Sequence, residues 1–499
     1  MAGQTLKPDL CIIGAGSAGL SLAAGAAQLG LSVVLFEAGE MGGDCLNYGC
    51  VPSKALIAAA ARAQAMREAN RFGIAACEPV PDWAQVKAHV QRVIAAIAPN
   101  DSQERFEALG VVVIRERARF ADAAIVESDS ARVRAKRTII ATGSRAAIPP
   151  IPGLEQVGPL TNETIFDIHE LPRHLIVLGA GAIGVELGQA FRRLGSQVTI
   201  VEAATALAGA DREAAEIMLA RLRAEGVEVL EGWRAQSASS HADGIALEIL
   251  EPPATALASE AAERVVSSVA GGDAGGPRKT LTGSHLLVAA GRKPNFDGLN
   301  LETAGIAFDK RAIATSPTLR STTNPNVWAL GDAAGGGFTH SAGWHASVFV
   351  RNVLFKARTR ADALPMPAVT YSDPELAQIG LTEDLARQQF GDRVKVMRVD
   401  FHDNDRAQAQ RDTEGFCKLV IGKGGRLLGA TIVGAEAGEL IAPIALAMAS
   451  KLGVRALTSP ILPYPTRAEI IKRAAGAYFA PTLFSKGTRA LVGMLKRLP

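Results

Sequence analysis

Two cysteines five positions apart, Cys45 and Cys50, lie within GGDCLNYGCVPSK, and Lys54 follows the second by four. Thiols at this spacing can relay electrons, bind a soft metal or sit inertly in a core. In one unbroken helix five residues rise about 7.5 Å, more than the usual Cα separation of a disulfide. A bonded pair would therefore need irregular chain at Cys45, which Gly42, Gly43 and Gly49 permit. Pro52 suits the first turn of a helix, so Cys50 is expected at a helix start, where the dipole favours a thiolate. Two structural cysteines remain the other reading. A zinc site would need a second CxxC or a histidine cluster nearby, and none is present, so no metal ligands are assigned. Cys11 reads as core; Cys77 and Cys417 have no partner nearby in sequence.

A second set of residues has the chemistry of phosphate binding, and it occurs twice. Residues 9–37 and 174–202 both run apolar strand, G-x-G-x-x-G, helix, Leu-Gly, apolar strand, Glu. The glycines are Gly14, Gly16, Gly19 and Gly179, Gly181, Gly184. The acids, Glu37 and Glu202, each stand 23 positions after the first glycine. The first glycine makes the turn, the second admits a pyrophosphate and the third lets helix and strand pack closely. The helix start supplies N–H groups to the phosphates, and the carboxylate meets ribose hydroxyls. Two such units imply two dinucleotides.

The elements carrying these residues need a large soluble α/β chain, and the composition agrees. The 499 residues are 48% hydrophobic and 21% charged, ordinary for a globular protein of about three domains. A net charge of +3 and 5% aromatics argue against nucleic-acid binding. Five cysteines are too few for a disulfide scaffold. The opening MAGQTLKPDL has no apolar signal region, and the apolar stretch 10–36 is broken by glycines and polar residues, as a strand–turn–helix–strand is and a membrane span is not. A cytoplasmic location is the expectation.

With these motifs the chain resembles the class I pyridine-nucleotide disulfide oxidoreductases, such as dihydrolipoamide dehydrogenase and mercuric reductase, over nearly its whole length. GDCLNYGCVPSK resembles the redox-active cysteine helix of that family. ATG (Ala141, Thr142, Gly143), GRKPN (from Gly291 and Arg292) and ALGD (to Gly331 and Asp332) resemble its FAD-binding segments, and YSDPELAQIGLTE, from 371, the opening of its dimerisation domain. The resemblance implies two Rossmann-like dinucleotide-binding domains plus a C-terminal α+β dimerisation domain. Their bounds would be 1–150 with 289–362 for FAD, 151–288 for NAD(P) and 363–499 for the interface. It further implies a homodimer, FAD contacts from Gly43 and Lys54 as well, a flavin-side ion pair between Lys54 and Glu186, and Asp332 on the flavin ribityl chain. Electrons would pass from NADH through FAD to a Cys45–Cys50 disulfide, with Cys45 the exposed interchange thiol and Cys50 the thiolate against the flavin. NADH is favoured over NADPH because no arginine follows Glu202 until Arg212, whereas a 2′-phosphate calls for one nearby.

The chain departs from the family pattern. No cysteine follows Cys417, where mercuric reductase ends in a vicinal pair, and the amino-terminal metal-binding domain of many mercuric reductases is not present. The resemblance therefore stops short of a complete mercury-handling pathway. Where the family's disulfide reductases carry a catalytic histidine, this chain has Tyr464, with Glu469 five residues on. At pH 7 a tyrosine is only ~0.1% phenolate, a poor general base. Lipoamide or glutathione turnover should be slow; mercuric reductase resembles this chain in having tyrosine there. Tyr464 and Glu469 of one subunit would shape the acceptor pocket at the other's cysteines. The acceptor is a disulfide, a metal ion or another small molecule. A flavin-only reductase of quinones, metals or oxygen and a low-turnover redox sensor are the alternatives. His340 and His345 read as structural, and His402 as having no catalytic role.

In the coarser layout, residues 82–109 form one polar helix, 148–153 a Pro-rich linker, and 267–280 a glycine-rich hairpin tip. Basic residues Lys486, Arg489, Lys496 and Arg497 alternate with Leu491, Val492, Leu495 and Leu498. A plain surface or dimer-contact helix is the favoured reading there, with an anionic membrane as the alternative.

Overall fold

A computed structural model of the chain describes residues 5–242, 244–251 and 276–497. The first sheet is parallel and five-stranded. Its order is Val327–Ala329, Arg137–Ile140, β1 (Leu10–Ile13), β2 (Val33–Phe36), Val112–Ile114. All four residues of β1 and of β2 are buried, the mark of strands covered on both faces. Helix α1 (Ser17–Gln28) connects them. The second sheet repeats the plan: Glu228–Glu231, Gln197–Glu202, His174–Leu178, His285–Val288, again parallel, with helix Ala182–Arg193 in the place of α1. A three-stranded antiparallel sheet (Arg234–His241, Gly244–Leu250, Arg278–Gly283) adjoins it. The last sheet is antiparallel: Ala368–Thr370, Glu375–Gly380, Leu427–Gly434, Phe416–Ile421, Lys395–Asp400. Its interior strand Phe416–Ile421 is buried at every position.

The architecture is the α/β one expected, two dinucleotide-type parallel sheets and a C-terminal α+β unit. Two local expectations need correction. The helix expected over 82–109 is two helices, Trp83–Ile97 and Gln103–Ala108, separated by the turn Ala98–Asp101; Pro99 in that turn lacks the N–H an unbroken helix requires. Cys45 does not lie in irregular chain. It sits in a short helix, α2 (Gly43–Asn47), and α3 (Cys50–Arg67) begins afresh after Tyr48 and Gly49. The break between two helices replaces the irregular segment. Of the glycine-rich stretch 267–280, residues 267–275 lie outside the described residues.

Candidate active site

Glycine geometry builds the two nucleotide cradles, and it is the same in both. Gly14 and Gly179 have φ of +106° and +107°, and a Cβ on either would lie 2.4 or 2.5 Å from the carbonyl oxygen of Ala141 or Ala289. A Cβ on Gly19 would lie 1.9 Å from Gly14 O, and on Gly184 2.0 Å from Gly179 O. The middle glycines differ: a Cβ on Gly181 meets nothing within 4 Å, and on Gly16 only Gly43 Cα at 3.9 Å. Those two positions face open space, and the helix starts there carry no side-chain cap. Their N–H groups stay available to an anion.

The acids close each cradle alike. Glu37 accepts from Ala15 N and Gly39 N, both at 2.6 Å. Glu202 accepts from Ala180 N at 2.8 Å and Ala204 N at 2.9 Å. Arg212, the first arginine after Glu202, is already engaged by Glu216 and Glu231. In the first unit, Ala141 N donates to Ile13 O, and Asn295 bonds Gly143 O and Thr142 O. Thr142 Oγ1 is buried without a hydrogen-bond partner among the described residues. An orphaned buried hydroxyl beside an open, uncapped glycine turn fits a bound dinucleotide that supplies the missing partner.

Asp332 and the cysteine helix are joined by a polar chain that sequence reasoning missed. Asp332 accepts from Ser144 Oγ and, at 3.1 Å, from Gly337 N. Arg292 donates to Ser144 Oγ and O, each at 2.8 Å, and pairs with Asp44 at 3.1 Å. Asp44 also accepts from Asn162 at 3.0 Å. Ser144 directly follows ATG and Asp44 precedes Cys45, so both were adjacent to motifs; Asn162 carried no sequence signal. Gly291 (φ +126°) supplies the turn before Arg292. Gly331 N donates to His345 Nδ1 at 3.1 Å, and burial lowers the His345 pKa. That makes His345 a neutral structural acceptor, as expected. His340 meets Pro367 O at 2.8 Å.

Cys45, Cys50, Lys54 and Glu186 converge. Cys45 and Cys50 are free thiols here, and they interact directly. The hydrogen bond from Cys45 draws the Cys50 pKa down to about 6, with Thr339 and the Lys54 charge adding to it. The same bond, with burial, pushes Cys45 up. Thr339 Oγ1 lies 3.5 Å from Cys50 Sγ. Lys54 Nζ donates to Glu186 Oε2 at 2.7 Å and stands 4.6 Å above the Tyr371 ring. Glu186, buried, also accepts from Tyr371 N at 2.8 Å. Thr339 and Tyr371 are further residues the sequence did not single out; Tyr371 opens a quoted motif, and Thr339 had no signal.

The two thiols differ in exposure. Cys50 is exposed and Cys45 only half so. Cys45 instead lines a cavity of about 370 Å³ with Ser17, Leu46, Asp101, Arg105 and Thr339. The helix break turns Cys45 toward α1 and the helix Gln103–Ala108. Cys11 and Cys417 are fully buried, which raises both thiols. Among the described residues no group of three or more His, Cys, Asp or Glu could hold a metal ion.

Tyr464 and Glu469 are not brought to this cluster within the chain; neither lines the cavity at Cys45. Tyr464 is 71% exposed and donates to Asp405 Oδ2 at 2.9 Å. That bond and the Asp405 charge raise its pKa further. Glu469 accepts from Thr466 N at 3.1 Å. Asp405, rather than Glu469, is therefore the group that holds the Tyr464 hydroxyl. His402 is exposed, in a short turn with Asp403 at 3.7 Å.

Comparison with known proteins places these features in context. A family model described as pyridine nucleotide-disulphide oxidoreductase matches residues 8–348, and that family's dimerisation domain matches 366–475. A dihydrolipoyl dehydrogenase of Geobacillus stearothermophilus is 33% identical over 94% of this chain and 96% of its own length. A mercuric reductase of Lysinibacillus sphaericus is 32% identical over 94% of this chain and 82% of its own. Among solved structures, the Cu(II) complex of the HOCl-induced flavoprotein disulfide reductase RclA from Escherichia coli is similar, with TM-score 0.78 and 26% identity over 93% of this chain and 98% of that one. No helix among the described residues is long and apolar enough to cross a membrane.

Proposed function

Because the chain belongs to the pyridine nucleotide-disulphide oxidoreductase family, enzymes that use FAD and NAD(P)H, we propose that it reduces a soft or redox-active metal ion with electrons from NADH, delivered through Cys45 and Cys50. FAD, when bound, supplies the two-electron link between nicotinamide and sulfur. The first glycine cradle, with Glu37, Gly43, Lys54, Thr142 and Asp332, would hold it. The second, with Glu202, would hold NADH, and the engaged Arg212 leaves a 2′-phosphate without a cation. Lys54, held by Glu186, favours the Cys50 thiolate.

The observation that carries this reading is geometric. The free thiols Cys45 and Cys50 stand beside Thr339 and the Lys54–Glu186 pair, while Tyr464, where the family's disulfide reductases carry a histidine, is tied to Asp405. The pKa of Cys50 is lowered and that of Cys45 raised. In the reduced state that is one thiolate and one thiol. Oxidation forms the S–S bond, releases one proton and yields two electrons, which reduce two Cu(II) ions to Cu(I) or one Hg(II) to the metal. No leaving thiol needs a proton, so the tyrosine at 464 is no handicap. Disulfide acceptors do need one, and Tyr464, tied to Asp405, does not supply it. The Cu(II) complex of RclA and the mercuric reductases among the relatives support a metal acceptor. The cavity at Cys45 is the proposed entry, completed in a homodimer by the partner subunit's Tyr464 and the partner subunit's Glu469, in a reducing cytoplasm.

The test is steady-state turnover with NADH and NADPH in parallel against Cu(II), Hg(II), lipoamide and glutathione disulfide. NADH should exceed NADPH, and the metal ions should exceed both disulfides, by tenfold or more. Full turnover in a Cys45→Ala variant would instead mean flavin-only reduction. No turnover with any acceptor in the FAD-loaded protein would mean a sensor.

A further inference from the structure

The net positive charge of this protein traces to its last thirty residues. Residues 470–499 hold six Lys and Arg and no Asp or Glu, so everything before them is net negative although the whole chain is +3. Lys472 and Arg473 are engaged by the carbonyls of Pro460 and Asp403. Lys486, Arg489, Lys496 and Arg497 are exposed and make no ion pair or side-chain hydrogen bond among the described residues. They belong to the helix Lys486–Leu495 and its end.

That helix is formed but unsupported. Ser485 caps it, accepting from Thr488 N at 3.2 Å. None of its residues is buried. Leu491, Val492, Met494 and Leu495 are 50, 55, 61 and 48% exposed, and Leu483 and Phe484 just before it are 57 and 63% exposed. At about 100° per residue the four apolar side chains of the helix fall within an arc of about 160°, and the four cations fall within the opposite arc of about 100°. A half-apolar, half-cationic helix with no partner is the pattern of an interfacial element.

We propose that the helix Lys486–Leu495 docks this enzyme onto an anionic lipid bilayer, its leucine face in the acyl boundary and its cations among the headgroups. Charge decides between occupants. A second copy packed on the apolar arc would leave all four cations facing outward with no acid to meet them. The family's dimerisation match ends at residue 475, before the helix begins. A bilayer accepts the apolar arc without a groove and answers the acid-free sequence with negative headgroups. The proposal takes up the alternative to the surface or dimer-contact role expected from sequence. This inference does not rest on the proposed acceptor.

Co-sedimentation of the FAD-loaded full chain with vesicles tests it. Phosphatidylcholine vesicles containing one-quarter phosphatidylglycerol should bind at least tenfold better than pure phosphatidylcholine at low salt, and the gain should fall in 0.5 M salt. Leu491→Glu/Leu495→Glu and, separately, Lys486→Glu/Arg489→Glu should each lower binding tenfold or more while NADH turnover in solution stays unchanged. Equal binding to the two vesicle types, or binding that survives both variants, would overturn the proposal. So would a variant that changes the oligomeric state on gel filtration, because the face would then be a contact between copies.

Discussion

Cys50 carries the chemistry because three neighbours favour its anion: the Cys45 thiol, Thr339 and Lys54. Its pKa is lowered, so the thiolate, which is the reactive form, is present above about pH 6 and lost below it. Alkylation of the reduced protein should therefore rise through pH 6 and level off by pH 7, followed by mass spectrometry of the Cys50 peptide. Replacing Lys54 with Met removes the positive charge and should move that rise upward by about one pH unit; an unmoved profile would show that Lys54 does not act on the thiolate. Tyr464 presents the opposite case. Its hydroxyl is tied to Asp405 and its pKa is raised, so it cannot take a proton near neutrality. Tyr464→His should raise lipoamide or glutathione-disulfide turnover tenfold or more and leave Cu(II) reduction within about twofold.

The repeated strand–glycine–helix unit makes a sharper prediction at the scale of elements, because its glycines are not equivalent. A Cβ at Gly184 would meet a backbone oxygen at 2.0 Å, whereas one at Gly181 has room. Gly184→Ala should raise the NADH KM at least tenfold by displacing the helix start, with the flavin absorbance of the purified protein retained. Gly19→Ala should do the reverse and yield flavin-poor protein. These units were legible in the sequence because strand, turn and acid recur at fixed spacing, and each role is local. The break between α2 and α3 was legible only in part. Glycines at 42, 43 and 49 announced irregularity, but a Cβ on Gly49 would lie 2.9 Å from Asp44 Oδ2, a crowding visible only once the chain has turned. The chain from Asp332 through Ser144 and Arg292 to Asp44 was hidden for a different reason. Its members are far apart in sequence, and single polar residues at such separations leave no periodic trace.

At the scale of the whole molecule, the C-terminal unit holds the redox site as well as any dimer contact. Tyr371, at the start of that unit, donates its N–H to Glu186, and Glu186 in turn holds Lys54 beside Cys50. Two ion clusters fix the units that meet there. Arg193 pairs with Glu225 at 2.6 Å and with Asp373 at 2.7 Å. Lys418, on the strand Phe416–Ile421 of the last sheet, reaches Asp211 at 2.9 Å and Glu213 at 2.8 Å at the start of the helix Arg212–Ala224. The Lys418 and Asp211 side chains are each only 5% exposed. A buried pair of this kind adds little over an apolar pair, but losing one partner strands the other's charge, at a cost of about 3–5 kcal/mol. Lys418→Met should therefore lower the first thermal transition by several degrees, while Lys418→Met with Asp211→Asn should recover most of the loss. The functional readout separates anchoring from mere stability. If Lys418 aligns the unit bearing Glu186 with the one bearing Tyr371, the single variant should also shift the Cys50 alkylation profile upward at a temperature where the protein is fully folded. The double variant should shift it back. A thermal loss with an unmoved profile would mean that the cluster stabilises the fold without setting the thiolate.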